Sequence, residues 1–224
     1  TAGKQYIFLT NNSSTGPENY VEKLAAMGLI VTKDRIVTSG QATISYLKKH
    51  YPGKRVYLLG NELLQREFQE EGILLAENDP EVVVTGFDTS LTYEKLCRVC
   101  DHVRAGLPYI ATHPDYNCPT EDGFIPDIGS FHELIHASAF RYPDHVVGKP
   151  SGDIMDYLAG RAGTSRAETA MVGDRLYTDV AAGVNNGYTG ILVLRGVATL
   201  AEAEEAEVTP DLLLTSVKAM IRFL

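Results

Sequence analysis

Ala170-Met171-Val172-Gly173-Asp174-Arg175-Leu176-Tyr177-Thr178-Asp179 is the stretch on which the fold turns. An apolar run stops at a glycine, an acid follows at once, and a second acid stands five residues further on. A strand buried on both faces reads as such a run, and in an open α/β sheet its C-terminal end delivers the functional groups. The same pattern stands near the start, where Tyr6-Ile7-Phe8-Leu9 ends in Thr10-Asn11-Asn12-Ser13-Ser14. Gly148-Lys149-Pro150 lies between them. Two polar strand ends and a lysine describe a site for a phosphate and a divalent cation.

Working outward, strand-like runs alternate with amphipathic stretches along the chain, the pattern of an α/β protein. Strands are predicted at Gln5 to Thr10, around Arg35 to Val37, and at Arg55 to Leu59, Glu81 to Phe87 and Tyr109 to Thr112. Three more are predicted at Thr169 to Gly173, Gly190 to Leu194 and Asp211 to Thr215. A helix from Pro17 to Met27 has proline in its first turn and Gly28 as its stop. Further helices are predicted at Ser39 to His50, from a cap at Asn61 to Glu71, and at Thr92 to Ala105. Ser130 to about Ala139, Ser151 to Arg161, Thr178 to Asn186 and the C-terminus complete the set, and His113 to Gly129 reads as turn-rich. The acidic run Ala201 to Glu207 reads as a solvated helix face.

The 224 residues suffice for one large domain or two small ones with a buried core. Apolar content of 44% and charged content of 22% are those of an ordinary globular protein. Lys plus Arg is 20 and Asp plus Glu is 29, a net charge of −9, which argues against nucleic acid as a partner. A small phosphorylated substrate is compatible with that charge, because a bound cation inverts the field locally. No run approaches the roughly 20 apolar residues of a membrane span, and no charged n-region with an apolar h-region stands at the start, so secretion is not expected. Three cysteines are too few, and odd in number, for a disulfide framework, so a cytoplasmic location is expected.

Each motif has a specific chemistry. At a strand end, the Thr10 hydroxyl with the amides and carboxamides of Asn11 and Asn12 can donate several hydrogen bonds to phosphoryl oxygens, although the same residues also make ordinary turns. Lys149, beside a glycine, can place its ammonium on a phosphate or on a neighbouring carboxylate. It is not a Walker lysine, since Pro143 and Pro150 stand where that loop wants glycine and a hydroxyl residue. Asp174 and Asp179 suit Mg²⁺, one as a direct ligand and one in support, the alternative being a turn and a helix cap.

Taken together, the order of hydroxyl, lysine and acidic pair resembles the second, third and fourth motifs of the haloacid dehalogenase-like phosphohydrolases. Leu9-Thr10-Asn11-Asn12-Ser13, Gly148-Lys149-Pro150 and Val172-Gly173-Asp174-Arg175-Leu176-Tyr177-Thr178-Asp179 look like the NagD-type, p-nitrophenylphosphatase-like branch. Thr112-His113-Pro114-Asp115, Cys118-Pro119-Thr120 and Gly129-Ser130 look like that branch's cap. The resemblance implies an α/β fold, with a Rossmann-like core of residues 1–40 and 143–224 and a large α/β cap of residues 41–142. It implies a Mg²⁺-dependent phosphatase acting on a small phosphomonoester through an aspartyl-phosphate. Thr10, Lys149, Asp174 and Asp179 would be its catalytic residues. Thr10, Asn11, Asn12 and Lys149 would bind substrate, and Asp174 would ligate the metal. Residues His113 to Asp115 would face the leaving group. The sequence leaves the oligomeric state open, although exposed cap surfaces could pair in a homodimer.

One departure bears on this. The family's first motif, Asp-x-Asp, carries the nucleophile and the general acid/base, yet no two aspartates stand two apart in this chain. The missing strand would lie between those ending at Thr10 and Asp174, leaving them about twice the ~4.8 Å strand spacing apart. The expectation is therefore that the natural protein carries this motif upstream of Thr1. The alternative is a non-catalytic module that binds a phosphorylated metabolite without the nucleophile.

Two further strings invite other readings. Cys97-x-x-Cys100 lies within a predicted helix, on a face shared with Tyr93, Leu96 and Val103, and both thiols are expected in the core. His132-Glu133-Leu134-Ile135-His136 matches the five letters of a zinc peptidase motif, but the resemblance places it in the cap with no third ligand downstream.

Overall fold

Apolar runs that halt in polar residues become parallel strands in the computed structural model, which describes residues 3–223. The chain divides into two compact units. One is Ile7–Gly148, and the other is made of the described residues to either side of it. The boundaries expected at residues 40/41 and 142/143 differ from these.

In the unit Ile7–Gly148, β1 (Phe8–Thr10), α1 (Pro17–Ala26), β2 (Ile36–Thr38) and α2 (Ser39–His50) come first. Strands β1 and β2 pair in parallel, with Thr10 opposite Thr38. Pro17 opens α1, and Gly28 beyond its end takes φ +81°, a left-handed conformation open to glycine. Thr38 closes a reciprocal capping box with Gln41, which is why α2 starts at Ser39. The chain continues through β3 (Arg55–Leu59), α3 (Glu62–Glu70), β4 (Leu74–Leu75), β5 (Val82–Thr85), α4 (Tyr93–Arg104) and β6 (Tyr109–Ala111). The hairpin β7 (Asn117–Thr120) and β8 (Gly123–Pro126), α5 (Ile128–Ala139) and β9 (His145–Val146) follow.

Strands β4-β3-β5-β6-β9 form one parallel sheet. Tyr57, Leu59, Val83, Val99, Cys100, Val103, Tyr109, Ile135 and Ala139 pack into one core between that sheet and helices α4 and α5. Each large side chain fully buried there contributes roughly 1.5–3 kcal/mol. The sheet extends to β9, three residues beyond the expected cap boundary at residue 142. Likewise the boundary at residue 41 falls inside α2, whose cap is Thr38.

Two local expectations are corrected. The turn-rich stretch His113 to Gly129 holds the antiparallel hairpin β7–β8, and α5 begins at Ile128 because the Asp127 side chain caps it. In α4 the buried stripe is Val99, Cys100 and Val103, so Cys97 is exposed and Tyr93, 82% exposed, faces solvent. The stripe lies further around the helix than the Tyr93-Cys97 spacing suggested, and only Cys100 is a packed thiol.

In the other unit, α6 (Gly152–Ala162), β10 (Ala170–Gly173), α7 (Ala181–Val184), β11 (Thr189–Val193), α8 (Leu200–Glu205) and β12 (Leu212–Leu214) follow one another. β10-β11-β12 is a parallel sheet. Alternation along β11 sends Leu192 to one core, with Val180 and Ala198, and Ile191 and Val193 to another, with Leu214. Both faces are therefore covered, as a parallel sheet requires. The acidic run lies largely on the exposed helix α8, whereas the expected C-terminal helix is 3₁₀ over Val217–Phe223. Among the described residues no helix is long and apolar enough to cross a membrane.

Candidate active site

The first group of expected site residues stands at the C-terminal end of β1. Thr10 Oγ1 accepts a hydrogen bond from the Asn12 N–H at 3.2 Å and lies 3.4 Å from the Tyr20 hydroxyl. Burial raises the pKa of Tyr20 above the usual phenol value, and the contact with Thr10 partly offsets the shift. Asn12 Oδ1 accepts from both the Ser14 N–H and the Ser14 hydroxyl at 2.8 Å, an Asx turn that curls the loop. The carboxamides of Asn11 and Asn12 have protein partners, Asn11 Nδ2 donating to Asp115 Oδ2 at 3.2 Å and Asn12 Nδ2 approaching Cys118 Sγ at 3.8 Å. What this loop offers a phosphoryl group is thus chiefly the Thr10 hydroxyl and the backbone.

Ser13, Ser39 and Asp127 also bear on this loop, although the sequence reading gave them no site role. Ser39 donates to the Asn11 carbonyl, and Ser13 Oγ accepts from the Phe87 N–H at 2.9 Å. Gly148 packs against the same place: a Cβ there would fall 2.5 Å from the Thr112 carbonyl and 2.9 Å from Asn11 Oδ1. A side chain at position 148 would displace the loop.

The second group stands at the end of β10. Lys149 Nζ donates to Asp179 Oδ1 at 2.6 Å, and the two side chains are only 10% and 8% exposed. Of the two partners foreseen for this ammonium, the structure supplies the carboxylate. Asp179 Oδ2 accepts from the backbone N–H groups of Asp174 and Arg175, both at 3.3 Å. The turn that carries Asp179 is a π-helix, Leu176–Val180, in which the N–H groups of both Asp179 and Val180 reach the Arg175 carbonyl. Such widened turns occur often at functional sites. It replaces the start of the α-helix expected at Thr178. Gly173 is required here, since a Cβ would overlap the Asp179 carboxylate.

Asp174 is held from the other side. Its Oδ2 accepts from the Val197 N–H at 2.9 Å, its carbonyl accepts from Ala198, and Gly196 leaves room for its carboxylate. Its Oδ1 has no hydrogen-bond partner among the described residues. One oriented carboxylate with a free oxygen suits Mg²⁺, which keeps several waters and takes one or two carboxylates plus substrate phosphate. It does not make a full protein cage, and among the described residues no group of three His, Cys, Asp or Glu side chains could hold a metal.

The string His132 to His136 is engaged otherwise. His132 Nε2 lies 3.0 Å from Thr85 Oγ1, and burial depresses its pKa to about 3, with His113 adding to the effect. The His136 ring stacks on Tyr142 at 4.0 Å, and Glu133 accepts from the hydroxyls of Tyr116 and Tyr142.

Residues 1–74 match the family model of the haloacid dehalogenase-like hydrolases, and residues 146–220 match a second model of HAD-hydrolase-like proteins. An acid sugar phosphatase of Staphylococcus aureus (strain MRSA252) is 37% identical over 210 residues, covering 93% of this chain and 80% of the relative. The crystal structure of 4-nitrophenylphosphatase from Thermotoga maritima superposes with a TM-score of 0.92 at 43% identity, over 98% of this chain and 84% of that one. A nagD protein structure gives 0.86 at 46% identity, over 93% and 82% of the two chains.

Proposed function

We propose that this chain, which belongs to the haloacid dehalogenase-like hydrolases and is a phosphomonoesterase of their NagD-type branch, cleaves a small phosphomonoester with Mg²⁺ as cofactor. Relatives named acid sugar phosphatase and 4-nitrophenylphosphatase support a sugar phosphate or similar small ester as substrate. The observation that carries the reading is the ammonium of Lys149 held 2.6 Å from Asp179, at the strand end where Asp174 keeps one oxygen free.

Phosphoryl transfer depends mostly on positioning and charge stabilisation, and the chain's own residues have those parts. Thr10 donates its hydroxyl to a phosphoryl oxygen. Lys149 neutralises charge on the transferred group, with Asp179 fixing where the ammonium points. Asp174 would hold Mg²⁺ through its free oxygen, and the cation, when bound, withdraws charge from the phosphoryl oxygens. The nucleophile in this reading is an aspartate of the first motif, absent from these 224 residues. Its carboxylate attacks phosphorus as the alcohol leaves, and water then hydrolyses the aspartyl-phosphate. The sheet β4-β3-β5-β6-β9 with its helices acts as the cap that selects the leaving group and excludes bulk water. Three free thiols agree with work in a reducing cytoplasm.

The test is hydrolysis of p-nitrophenyl phosphate by the full-length protein, with and without EDTA. Turnover should require Mg²⁺ and be abolished by Asp174→Asn. Undiminished turnover in that variant would sink the role given to Asp174. Phosphate binding without turnover would favour the alternative, a non-catalytic binding module, which the lack of an Asp-x-Asp in these residues keeps open.

A further inference from the structure

We propose that His113 is a positioning residue for the phosphate-binding loop, orienting Ser13 through a one-way chain of hydrogen bonds that begins at Asp127. The inference rests on the reading of Thr10 to Asn12 as that loop. Ser13, Thr112, His113 and Asp127 meet inside the unit Ile7–Gly148 and are 2%, 0%, 0% and 3% exposed. His113 Nε2 stands 2.9 Å from Asp127 Oδ1, and His113 Nδ1 stands 2.9 Å from Thr112 Oγ1. Thr112 Oγ1 in turn lies 3.1 Å from Ser13 Oγ.

Counting protons sets the direction. Asp127 caps α5, its Oδ1 accepting from the Ile128 N–H at 2.6 Å, and an ionised carboxylate can only accept. A neutral imidazole has a single N–H; facing this carboxylate it stands on Nε2, and Nδ1 then accepts. Two hydroxyls face Nδ1. Ser39, at 3.5 Å, directs its single proton to the Asn11 carbonyl, so Thr112 is the donor. The Thr112 oxygen is then left to accept, and Ser13 supplies the proton. Ser13 completes its own set by accepting from the Phe87 N–H at 2.9 Å. The run Ser13 to Thr112 to His113 to Asp127 has one consistent direction, and a buried network with every member satisfied specifies a single arrangement.

That arrangement grips the loop at two points. Ser13 is held by its hydroxyl, and Asn11 is held by its carbonyl through Ser39, which faces the same imidazole. Gly148 adds a third contact, since a Cβ there would fall 2.8 Å from the His113 Cβ and 2.9 Å from Asn11 Oδ1. The residue before Lys149 thus rests on the same assembly.

Three measurements on the full-length protein test this. Imidazole ¹⁵N shifts should show His113 protonated at Nε2 with Nδ1 accepting; a proton on Nδ1 overturns the proposal. Thr112→Val deletes the middle hydroxyl at nearly constant volume, and should raise KM for p-nitrophenyl phosphate and the inhibition constant of inorganic phosphate about 10-fold, with a smaller change in kcat. Thr112→Ser restores a hydroxyl and should recover most of the loss. Equal behaviour of two variants with matched melting temperatures refutes the proposal. Asp127→Asn can donate to Nε2 and reverse the chain, so its effect and that of Ser13→Ala should not add; full additivity speaks against the relay. A wild-type protein that neither turns over p-nitrophenyl phosphate nor binds inorganic phosphate would defeat the phosphatase reading instead, and with it the loop role, whatever the tautomer.

Discussion

Lys149 and Asp179 bring opposite charges together nearly out of water, 2.6 Å apart. Removing one partner of such a pair leaves the other buried and uncompensated, which costs about 3–5 kcal/mol. Asp179→Asn should therefore lower the urea midpoint steeply, and adding Lys149→Met should restore part of the loss. A midpoint unchanged by Asp179→Asn would show that water screens the pair. Two other side chains set the pH response. His132 titrates near 3 in the fold, so it contributes stability above its unfolded value of 6.5 that is lost as pH falls towards 3. Glu67 is raised to about 7, mainly by burial and then by Glu18, Glu71 and Glu70. It contributes stability below 4.5 that is lost as pH rises towards 7. The two oppose each other where the windows overlap. Glu67→Gln should leave a rise in stability with pH through that overlap, with a slope approaching ~1.4 kcal/mol per pH unit at most. His132→Gln should leave a fall. Urea midpoints against pH for both variants check the signs. At this scale the contact of Lys149 with Asp179 could be read in the chain, because a neighbouring carboxylate was one of the two partners foreseen for the ammonium. Ser39 and Asp127 could not, since a hydroxyl or an acid before a helix is fully explained as a cap.

Among the elements, parallel strands were the easiest to foresee, since Val82-Val83-Val84 and Ala170-Met171-Val172 have the continuous apolar character of double-sided burial. Helix starts followed their caps at Thr38, Asn61 and Thr92. The hairpin β7–β8 escaped because its strands are largely exposed and contain Pro119 and Pro126, so neither alternation nor a buried run marks them. The π-turn before α7 escaped too, because it is created by Asp179 folding back on Gly173, which local propensity does not register. The end of α5 offers a test. Phe140 closes that helix at φ 58°, in the left-handed region, with its ring 81% exposed. Glycine removes the steric conflict there, so Phe140→Gly should raise stability by about 1 kcal/mol, seen as a higher melting temperature. A lower one would mean that the ring packs on something in solution.

For the whole molecule, the net charge of −9 makes a polyanion an unfavourable partner. The protein should show no retention on a heparin column at physiological salt, whereas inorganic phosphate should inhibit p-nitrophenyl phosphate turnover competitively. Heparin retention would point to a basic surface that the composition conceals. The α/β class was legible from alternating elements, and the branch from three short strings in the right order. The division into compact units was not, because β9 adds to a sheet that begins ninety residues earlier, and such pairing has no local signature. Gly148, Gly173 and Gly196 extend the point to heredity. Each leaves the place of a Cβ to a neighbour, the Thr112 carbonyl and Asn11 Oδ1 for the first, the carboxylates of Asp179 and Asp174 for the others. In a saturation scan Gly173 and Gly196 should tolerate as little change as the acids they face, and Gly148 as little as the loop it touches, so drift could disable this chain through codons that encode no reactive group.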